Sequence, residues 1–181
     1  MSIYDTYQAK KANYNGMWFK SNLEARTAEA LDGLGVTWEY ERRVFRDRRY
    51  RGGQYTPDFY LPGLFTYVEC VGRIDERHWA NAELFCMSQN ASIDEWGEPP
   101  RTTERSPSFV FVTGDGWMKT WTPHTDAGAP SVSVSRCHGC GKVFFIVDSG
   151  LWACPYCGED YGKHHAGNYN LFEFAGTKTY D

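Results

Sequence analysis

Two cysteine pairs near the C-terminus limit the folds open to this chain more than any other feature of its sequence. Cys137 and Cys140 form one C-x-x-C pair, Cys154 and Cys157 form the other, and thirteen residues separate the two pairs. Two knuckles at this separation let four thiolates converge on one Zn²⁺ as a tetrahedron. We therefore predict one structural zinc ion bound by these four cysteines, with a hairpin at Val143–Val147 between the knuckles.

This zinc is expected to hold structure and not to catalyse a reaction, because a closed site of four cysteines has no open coordination position. The small module around it either only fastens a segment that cannot bury its own core, or also forms a binding surface for nucleic acid or protein. The sequence leaves both possibilities open. We assign this zinc-ribbon module to residues 131–181, with a C-terminal strand, and a linker at 123–130 precedes it; the first domain spans residues 1–125.

Composition and charge restrict the classes of protein to which the chain can belong. It has no run of about 18 apolar residues, so no membrane span is expected. Its polar N-terminus lacks the apolar stretch of a secretory signal, which favours the cytoplasm, where C-x-x-C pairs bind metals more often than they form disulfides. The other two cysteines, Cys70 and Cys86, are predicted as small core side chains. The net charge of −4 does not by itself indicate a nucleic-acid partner.

The first domain is predicted to be mixed α/β, with helices packed on a small central sheet. Hydrophobic periodicity and turn residues place an irregular arm over residues 1–16 and a polar loop over residues 90–107. The predicted elements, in chain order, are a helix at 17–34, a strand at 36–41, two strands within 54–73, a helix at 75–89, a strand at 109–113 and a short strand within 114–121.

Two acidic residues stand among apolar neighbours in the stretch from Gln54 to Arg73. The Pro62-Gly63 pair predicts a tight turn that joins two strands, with Asp58 in the first strand and Glu69 in the second. A carboxylate in a largely buried strand is unfavourable unless another group compensates its charge. One acid on each of two paired strands therefore predicts a site for a divalent cation.

Glu24 has two interpretations. With Ser21 it forms an S-x-x-E capping box, in which the glutamate bonds back to the start of the first helix and needs no other role. Alternatively, its place near the start of that helix directs its carboxylate over the sheet toward Asp58 and Glu69. The local sequence by itself favours the capping box.

An arginine-rich segment precedes the two acids. Between residues 42 and 51, six arginines stand against one aspartate, with Phe45 and Tyr50 interleaved. Such a segment can neutralise several phosphates and stack on bases or sugars, although a solvated hairpin would have the same composition. The candidate DNA-binding residues are Arg42, Arg43, Arg46, Arg48, Arg49 and Arg51.

Together these motifs resemble the PD-(D/E)xK nuclease superfamily, and in particular the phage endonucleases and Holliday-junction resolvases that cut branched DNA. The matching segments are Ser21-Asn-Leu-Glu24, Val36 to Tyr40, Tyr55-Thr-Pro-Asp58-Phe-Tyr-Leu-Pro62 and Tyr67-Val-Glu69-Cys-Val-Gly72, within residues 17 to about 90. The resemblance implies a restriction-endonuclease-like core and DNA as the partner. It also implies a catalytic Mg²⁺ or Mn²⁺ held by Asp58 and Glu69, with Glu24 as the third acid of the site.

One position departs from the superfamily pattern. The superfamily's lysine follows the strand glutamate by two residues, on the same face of the strand, and Val71 stands there in this chain. An isopropyl group can neither orient a water nor stabilise charge on phosphorus. Lys20, one helical turn before Glu24, and Arg73, beyond Gly72, are the main candidates for that role, although a guanidinium could not act as a base. Weaker candidates are Arg26, Arg77 and His78, and the sequence does not choose among them.

The sequence therefore predicts a DNA endonuclease dependent on Mg²⁺ or Mn²⁺. Because phosphate contacts position a protein without reading bases, it is expected to recognise the shape or branching of DNA. The first alternative is a DNA-binding or regulatory protein that keeps the nuclease fold and has lost catalysis with the lysine. The second is a docking protein whose zinc ribbon attaches it to a larger complex. By analogy with junction cutters, a homodimer in the cytoplasm of a bacterium or a phage-infected host is expected.

Overall fold

The structure is a computed structural model that describes residues 10–91, 108–120, 131–147, 153–154, 156–159 and 170–176. Of residues 89–91 it describes the backbone alone. The predicted linker at 123–130 lies outside these residues, as does the predicted loop from residue 92 to residue 107. Residues 90 and 91, which the sequence placed in that loop, are helical.

Within the described residues the chain forms eleven strands and three α-helices. The strands are β1 (Ala12–Tyr14), β2 (Met17–Phe19), β3 (Glu39–Tyr40), β4 (Phe45–Arg46), β5 (Gln54–Tyr55), β6 (Phe59–Leu61), β7 (Thr66–Val71), β8 (Phe109–Thr113), β9 (Met118–Lys119), β10 (Ser131–Arg136) and β11 (Val143–Val147). The helices are α1 (Asn22–Gly33), α2 (Glu76–Ala91) and α3 (Leu171–Ala175).

Seven of the strands form one mixed sheet, in the spatial order β11-β10-β9-β8-β7-β6-β3. The neighbours β7 and β8 are parallel, and the chain passes through α2 between them, because parallel strands need a crossover connection. The other neighbouring pairs in this sheet are antiparallel. The mixed α/β class predicted from the sequence is confirmed, and the sheet is larger than expected.

Side chains of the central strands alternate between two apolar clusters, one on each face of the sheet. On β7, Val68 lies in the cluster to which α1 and α3 contribute, whereas Tyr67 and Val71 pack in the cluster to which α2 contributes Phe85 and Cys86. Helices therefore cover both faces of the sheet, as predicted. No helix in the described part of the chain has both the length and the apolar character needed to span a membrane.

Helix α1 begins at Asn22, and Met17–Phe19, which the sequence assigned to the helix, form β2 instead. Asn15 and Gly16 have positive φ angles of 50° and 85°, and this Asn-Gly turn pairs β1 with β2 as a hairpin. The irregular arm predicted for residues 1–16 is therefore wrong from residue 12 onward, and residues 1–9 lie outside the described chain. Ser21 caps the helix as predicted, because its hydroxyl oxygen accepts the Glu24 N–H at 3.1 Å.

The first of the two strands predicted within 54–73 is divided into two short strands. β5 pairs with β4, whereas β6 pairs with β3 and β7. Pro57 stands between β5 and β6, and it has no N–H to donate to a sheet. Asp58 therefore stands directly before β6. The turn after β6 covers residues 62–65, close to the predicted Pro62-Gly63 turn.

The hairpin of β10 and β11 continues the central sheet. β9 pairs with β10 across the predicted linker, so the two predicted units share one sheet. Val143–Val147 forms a single strand, β11, which pairs with β10 on the N-terminal side of the first knuckle. Residues 171–175 form α3: the side chain of Asn170 accepts the Glu173 N–H at 2.9 Å, and Gly176 ends the helix at a φ of 69°. After β11 the described residues contain no further strand of the kind predicted for the C-terminal part of the module.

Candidate active site and zinc site

Asp58 and Glu69 lie next to each other across β6 and β7. The antiparallel register pairs Phe59 with Val68, so Asp58 and Glu69 are the next pair outward. The backbone N–H of Cys70 donates to Asp58 Oδ2 at 2.7 Å, and the backbone N–H of Asp58 donates to the Glu69 carboxylate. The structure thus brings together the two acids that the sequence placed on adjacent strands.

Glu69 has one oxygen without a partner. The Tyr55 hydroxyl, to which the sequence assigned no separate role, donates to the Glu69 carboxylate. Oε2 of Glu69 is nevertheless buried and has no hydrogen-bond partner among the described residues. A buried polar atom left unsatisfied costs about 1–3 kcal/mol, and a charged one costs more. A cation bound between Asp58 and Glu69 would remove this penalty.

Burial shifts both carboxyl groups toward their neutral forms. Burial, reinforced by the charge of Glu24, raises the pKa of Asp58 from 3.8 to about 7, although the Cys70 N–H and the Lys20 ammonium oppose the shift. Burial, followed by the charge of Asp58, raises the pKa of Glu69 well above its ordinary value. The pair therefore retains protons near neutral pH unless a cation stabilises its charged form.

Glu24 is buried, and hydrogen bonds engage both of its carboxylate oxygens. Oε1 accepts a hydrogen bond from the Ser21 hydroxyl at 2.7 Å. Oε2 accepts one from the backbone N–H of Lys20 at 3.1 Å and one from the Tyr40 hydroxyl at 2.5 Å. The sequence placed Tyr40 on the apolar side of a strand but did not indicate this bond. Glu24 therefore acts in the cap of α1, and its charge also acts on Asp58.

The three acids do not form a compact ligand set. Among the described residues, the four cysteines are the only group of three or more Cys, His, Asp or Glu side chains whose ligand atoms all lie within 4.8 Å of one another. A cation held directly by Asp58 and Glu69 would therefore reach Glu24 through water, or after Glu24 releases one of its donors.

Lys20 is the candidate cation whose charge acts on the acids. Its ammonium forms an ion pair with Glu41 and interacts with the charges of Asp58 and Glu24. The hydrogen bond to Glu41 raises the pKa of Lys20 and outweighs the opposing effect of burial. Lys20 therefore stays protonated, so it can stabilise negative charge but cannot accept a proton.

The other candidates for the missing lysine lie elsewhere. Val71 is buried in the apolar cluster beneath α2, and Arg73 is exposed beyond the end of β7, where it lines a separate pocket. The Arg26 guanidinium donates to the Gly114 carbonyl at 3.4 Å and lies 4.2 Å from the centre of the Phe172 ring. Two further side chains, Arg77 and His78, pair with Asp75 at the start of α2.

The arginine-rich segment forms the β4–β5 hairpin, which aromatic side chains fasten to the face covered by α2. The Phe45 ring packs edge-on against Phe85, with 4.8 Å between ring centroids, and Tyr55 packs in the same cluster. This attachment leaves the arginines at the surface next to the chain that leads to Asp58. The solvated hairpin predicted as the alternative is therefore present. Its position would also suit contacts to the phosphate backbone of a nucleic acid.

The six arginines divide into two groups. Arg42 pairs with Glu39 at 3.2 Å, Arg49 pairs with Asp47 at 2.6 Å, and the Arg43 guanidinium lies 5.0 Å from the centre of the Phe45 ring. The others are exposed and make no ion pair within the described residues, so their charges are available to a ligand; they are Arg46, Arg48 and Arg51.

The four predicted zinc ligands converge. Cys137 Sγ lies 3.5 Å from Cys157 Sγ, and Cys140 Sγ lies 3.6 Å from Cys154 Sγ. Zn–S bonds of about 2.3 Å in a tetrahedron place neighbouring sulfurs roughly 3.8 Å apart, so the donor set fits Zn²⁺. Burial raises the pKa of Cys154 to about 12, a shift that a bound cation would reverse by stabilising the thiolate.

The two knuckles have the same backbone geometry. In the first, the Cys137 N–H donates to the Lys142 carbonyl at 2.8 Å, and in the second the Cys154 N–H donates to the Glu159 carbonyl at 2.8 Å. Each knuckle turns at a glycine with positive φ, at 71° for Gly141 and 77° for its counterpart Gly158. This repeated arrangement directs two thiols from each side toward one point.

The zinc site is joined to the main core. Cys137 and Cys154 are buried in the same apolar cluster as Phe59, the first residue of β6 and the residue next to Asp58. In the second knuckle, the Tyr156 ring packs against Gly63 in the turn between β6 and β7, where its hydroxyl would lie 3.4 Å from an added Cβ. A structural zinc ion here would therefore also support the strands that carry the acids.

Replacing one cysteine of each knuckle, as Cys137→Ser with Cys154→Ser, is expected to abolish zinc binding and to lower the midpoint of thermal unfolding by about 10 °C or more. The reason is that both thiols lie in the core of the central sheet. Elemental analysis of the purified protein should find one zinc per wild-type chain. Cys86→Ala removes a buried thiol outside the site, so it should keep the zinc; full zinc content in the double variant would contradict the assignment.

Asp58→Asn is expected to make the protein less sensitive to pH. The folded-state pKa of Asp58 lies above its unfolded value, so its contribution to stability declines as pH rises from about 4 to about 7. Asparagine can still accept the Cys70 N–H but carries no charge. Without added divalent ion, the free energy of unfolding of the variant, measured relative to that of wild type, should therefore rise by about 1–2 kcal/mol as pH increases from 5.5 to 8.

Urea unfolding of the zinc-loaded proteins would measure this difference, and chelators are to be avoided because they would also remove the zinc. Glu83→Gln, an exposed substitution on α2, is the matched control and should show no pH-dependent gain. A stability difference between Asp58→Asn and wild type that stays constant from pH 5.5 to pH 8 would show that Asp58 does not titrate in this range.

Comparison with known proteins assigns the chain to no family: no protein-family model, no curated protein and no solved structure matches it significantly. The features of the chain that bear on function are the two acids, the cations near them and the four cysteines.

Proposed function

We propose that this protein is a metal-dependent DNA endonuclease that hydrolyses phosphodiester bonds and selects the structure of DNA, branched or duplex, more than its sequence. The observation that carries the proposal is the buried Oε2 of Glu69, which lies beside Asp58 and has no hydrogen-bond partner in the part of the chain that the structure describes. Two carboxyl groups that burial holds near their neutral forms are a poor structural pair, but they become favourable ligands once Mg²⁺ or Mn²⁺ binds.

Each side chain near the acids has a distinct part in this proposal. Asp58 and Glu69 would hold the cation, which supplies Lewis-acid activation of the phosphate and of the attacking water. Glu24 caps the start of α1, and its negative charge acts on Asp58. Lys20, which keeps its proton, would stabilise the charge that develops on the phosphate, in the role that the resemblance gives to a lysine at position 71.

Duplex or branched DNA suits the charge distribution around the acids. The exposed arginines of the β4–β5 hairpin, Arg46, Arg48 and Arg51, lie just before the chain enters the site. Contacts from such side chains to phosphates fix the position of a duplex without reading its bases. A homodimer that places two such sites on one junction would fit this substrate and remains part of the proposal.

The alternative function is DNA binding without cleavage. The observation that favours it is Val71, which is buried in the apolar cluster beneath α2, so no cation can approach Glu69 from that position on β7. In this case Lys20 would serve only its ion pair with Glu41, and the arginine hairpin would carry the activity. The docking alternative keeps neither role and requires no affinity for DNA.

Cleavage assays would separate these functions. Zinc-loaded protein is incubated with supercoiled plasmid and with a four-way junction in Mg²⁺ or Mn²⁺. Asp58→Asn and Glu69→Gln should each reduce the cleavage rate by at least about 100-fold, since each removes a ligand of the cation. Glu83→Gln should retain the wild-type rate.

Binding to the same junction is measured in parallel, with Ca²⁺ in place of Mg²⁺. Salt-sensitive binding by wild type without cleavage in either metal ion would replace the endonuclease by the binding protein. No affinity for DNA at low salt would exclude both and leave the docking function.

Lys20 is tested by separating catalysis from binding. Lys20→Ala should lower the rate of junction cleavage by about 10-fold to 100-fold while changing the affinity for DNA by less than about threefold, because one exposed cation contributes little to a large phosphate interface. Lys20→Arg, which keeps the charge, should recover part of the rate. Equal loss in both variants, or no loss in either, would remove Lys20 from the site.

A further inference from the structure

A pocket opens at the edge of the sheet where β7 and β8 end. Both strands are parallel, and Val71 at the end of β7 is paired with Thr113 at the end of β8. Carboxyl ends of adjacent parallel strands commonly form ligand sites in open sheets. Here they border an open pocket of about 700 Å³, which Arg73 and Lys119 also line.

The two cations in this pocket are available to a ligand. Neither Arg73 nor Lys119 makes an ion pair within the described part of the chain, unlike Arg49 or Arg77. Lys119 belongs to β9, where it is paired with Phe111 of β8. Two cations that reach one pocket from separate segments, Arg73 beyond the end of β7 and Lys119 on β9, fit a phosphate group when neither has a carboxylate partner.

An aromatic wall lies in the same pocket. Trp79 of α2 lines it and packs edge-on against Phe111, with 5.0 Å between ring centroids and an angle of 86° between ring planes. This contact holds the indole in place, so it can offer its surface to a flat ligand. Stacking of a nucleobase on such a ring contributes about 1–3 kcal/mol.

One acid also borders the pocket, and its role in the turn explains its presence. Asp115 Oδ1 accepts the Thr113 hydroxyl at 2.5 Å and the Trp117 N–H at 3.4 Å. These bonds leave Oδ2 of Asp115 as an acceptor for a ligand hydroxyl or amino group. The pocket thus offers two cations, a ring and one acceptor, which are the groups that a nucleotide needs.

We propose that this pocket binds one nucleotide unit, with its phosphate on Arg73 and Lys119 and its base against Trp79. The site is distinct from Asp58 and Glu69, because Glu69 lies two residues before the end of β7 and neither acid is among the residues that line the pocket. It needs no divalent ion and no cleavage. The nucleotide is either free or part of a DNA strand, and the two sources share the same phosphate and base.

The test is a binding titration of the zinc-loaded protein without added divalent ion. The probes are dAMP, a 5′-phosphorylated single-stranded pentanucleotide, deoxyadenosine and inorganic phosphate. Isothermal titration calorimetry measures the affinity of each. The expected result is binding of dAMP or the pentanucleotide at least about tenfold tighter than binding of deoxyadenosine or phosphate, because only the first two carry both groups. Tighter binding of the pentanucleotide identifies a strand as the ligand, and equal affinity identifies a free nucleotide.

Variants place the binding in this pocket. The double substitution Arg73→Ala with Lys119→Ala should weaken binding of the better probe at least about tenfold, and Trp79→Leu should reduce the advantage of dAMP over phosphate. Trp79→Phe keeps a ring against Phe111 and covers the case in which the leucine variant does not fold. Arg77→Ala, which removes a neighbouring exposed cation on α2, is the control and should bind as wild type does.

Three results would overturn the proposal: no binding of either nucleotide probe at millimolar concentration, phosphate binding as tight as dAMP binding, or unchanged affinity in the double variant. Asp58→Asn should leave the binding intact. Loss of cleavage with retained nucleotide binding, or the reverse, therefore distinguishes failure of this proposal from failure of the endonuclease.

Discussion

Strand β7 determines much of this structure, because its side chains alternate between two apolar clusters on opposite faces of the sheet. Val68 packs with α1 on one face, and Tyr67 and Val71 pack with α2 on the other. Glu69 lies between Tyr67 and Val71 on β7, on the face of the sheet that the aromatic-rich cluster with α2 covers. Tyr55 and the backbone of Asp58 donate hydrogen bonds to the Glu69 carboxylate there, and one of its oxygens still has no partner among the described residues.

The packing around the acids explains why a positive charge reaches them from the surface, on Lys20, and not from a lysine on β7. At position 71 a lysine ammonium would have to enter the cluster beneath α2, where Phe85 and Phe111 pack. Lys20 comes from the other side of the sheet, through the cap of α1, and its ammonium stays largely in water, with 66% of its side chain exposed. Val71 thus completes the core, and a positive charge is supplied from the surface.

Local signals in the sequence predicted the parts of the structure that depend on neighbouring residues. The spacing of Cys137, Cys140, Cys154 and Cys157 was sufficient to predict their convergence, and Ser21 with Glu24 predicted the cap of α1. The proximity of Asp58 to Glu69 followed from two strands and one turn. The Asn15-Gly16 dipeptide is a strong hairpin signal, and because this signal was not used, the first helix was predicted to extend over β2.

Contacts between distant segments could not be predicted in this way. Tyr40 reaches Glu24, and the β9–β10 pairing unites the two predicted units, only through the completed sheet. Helix α3 was also missed, since a short segment such as Leu171–Ala175 carries too few residues for its periodicity to identify a helix.

The position of the cysteine knuckles at the end of the sheet also bears on aggregation. β11, with the sequence Val-Phe-Phe-Ile-Val, is apolar along its whole length and buried at every residue, and within the described chain it pairs only with β10. A segment of this composition, without charge, proline or glycine, readily joins other chains once it is exposed. Thiol oxidation or loss of zinc would therefore do more than loosen a local module. It would expose β11, whose free edge could pair with strands of other chains and start an intermolecular sheet.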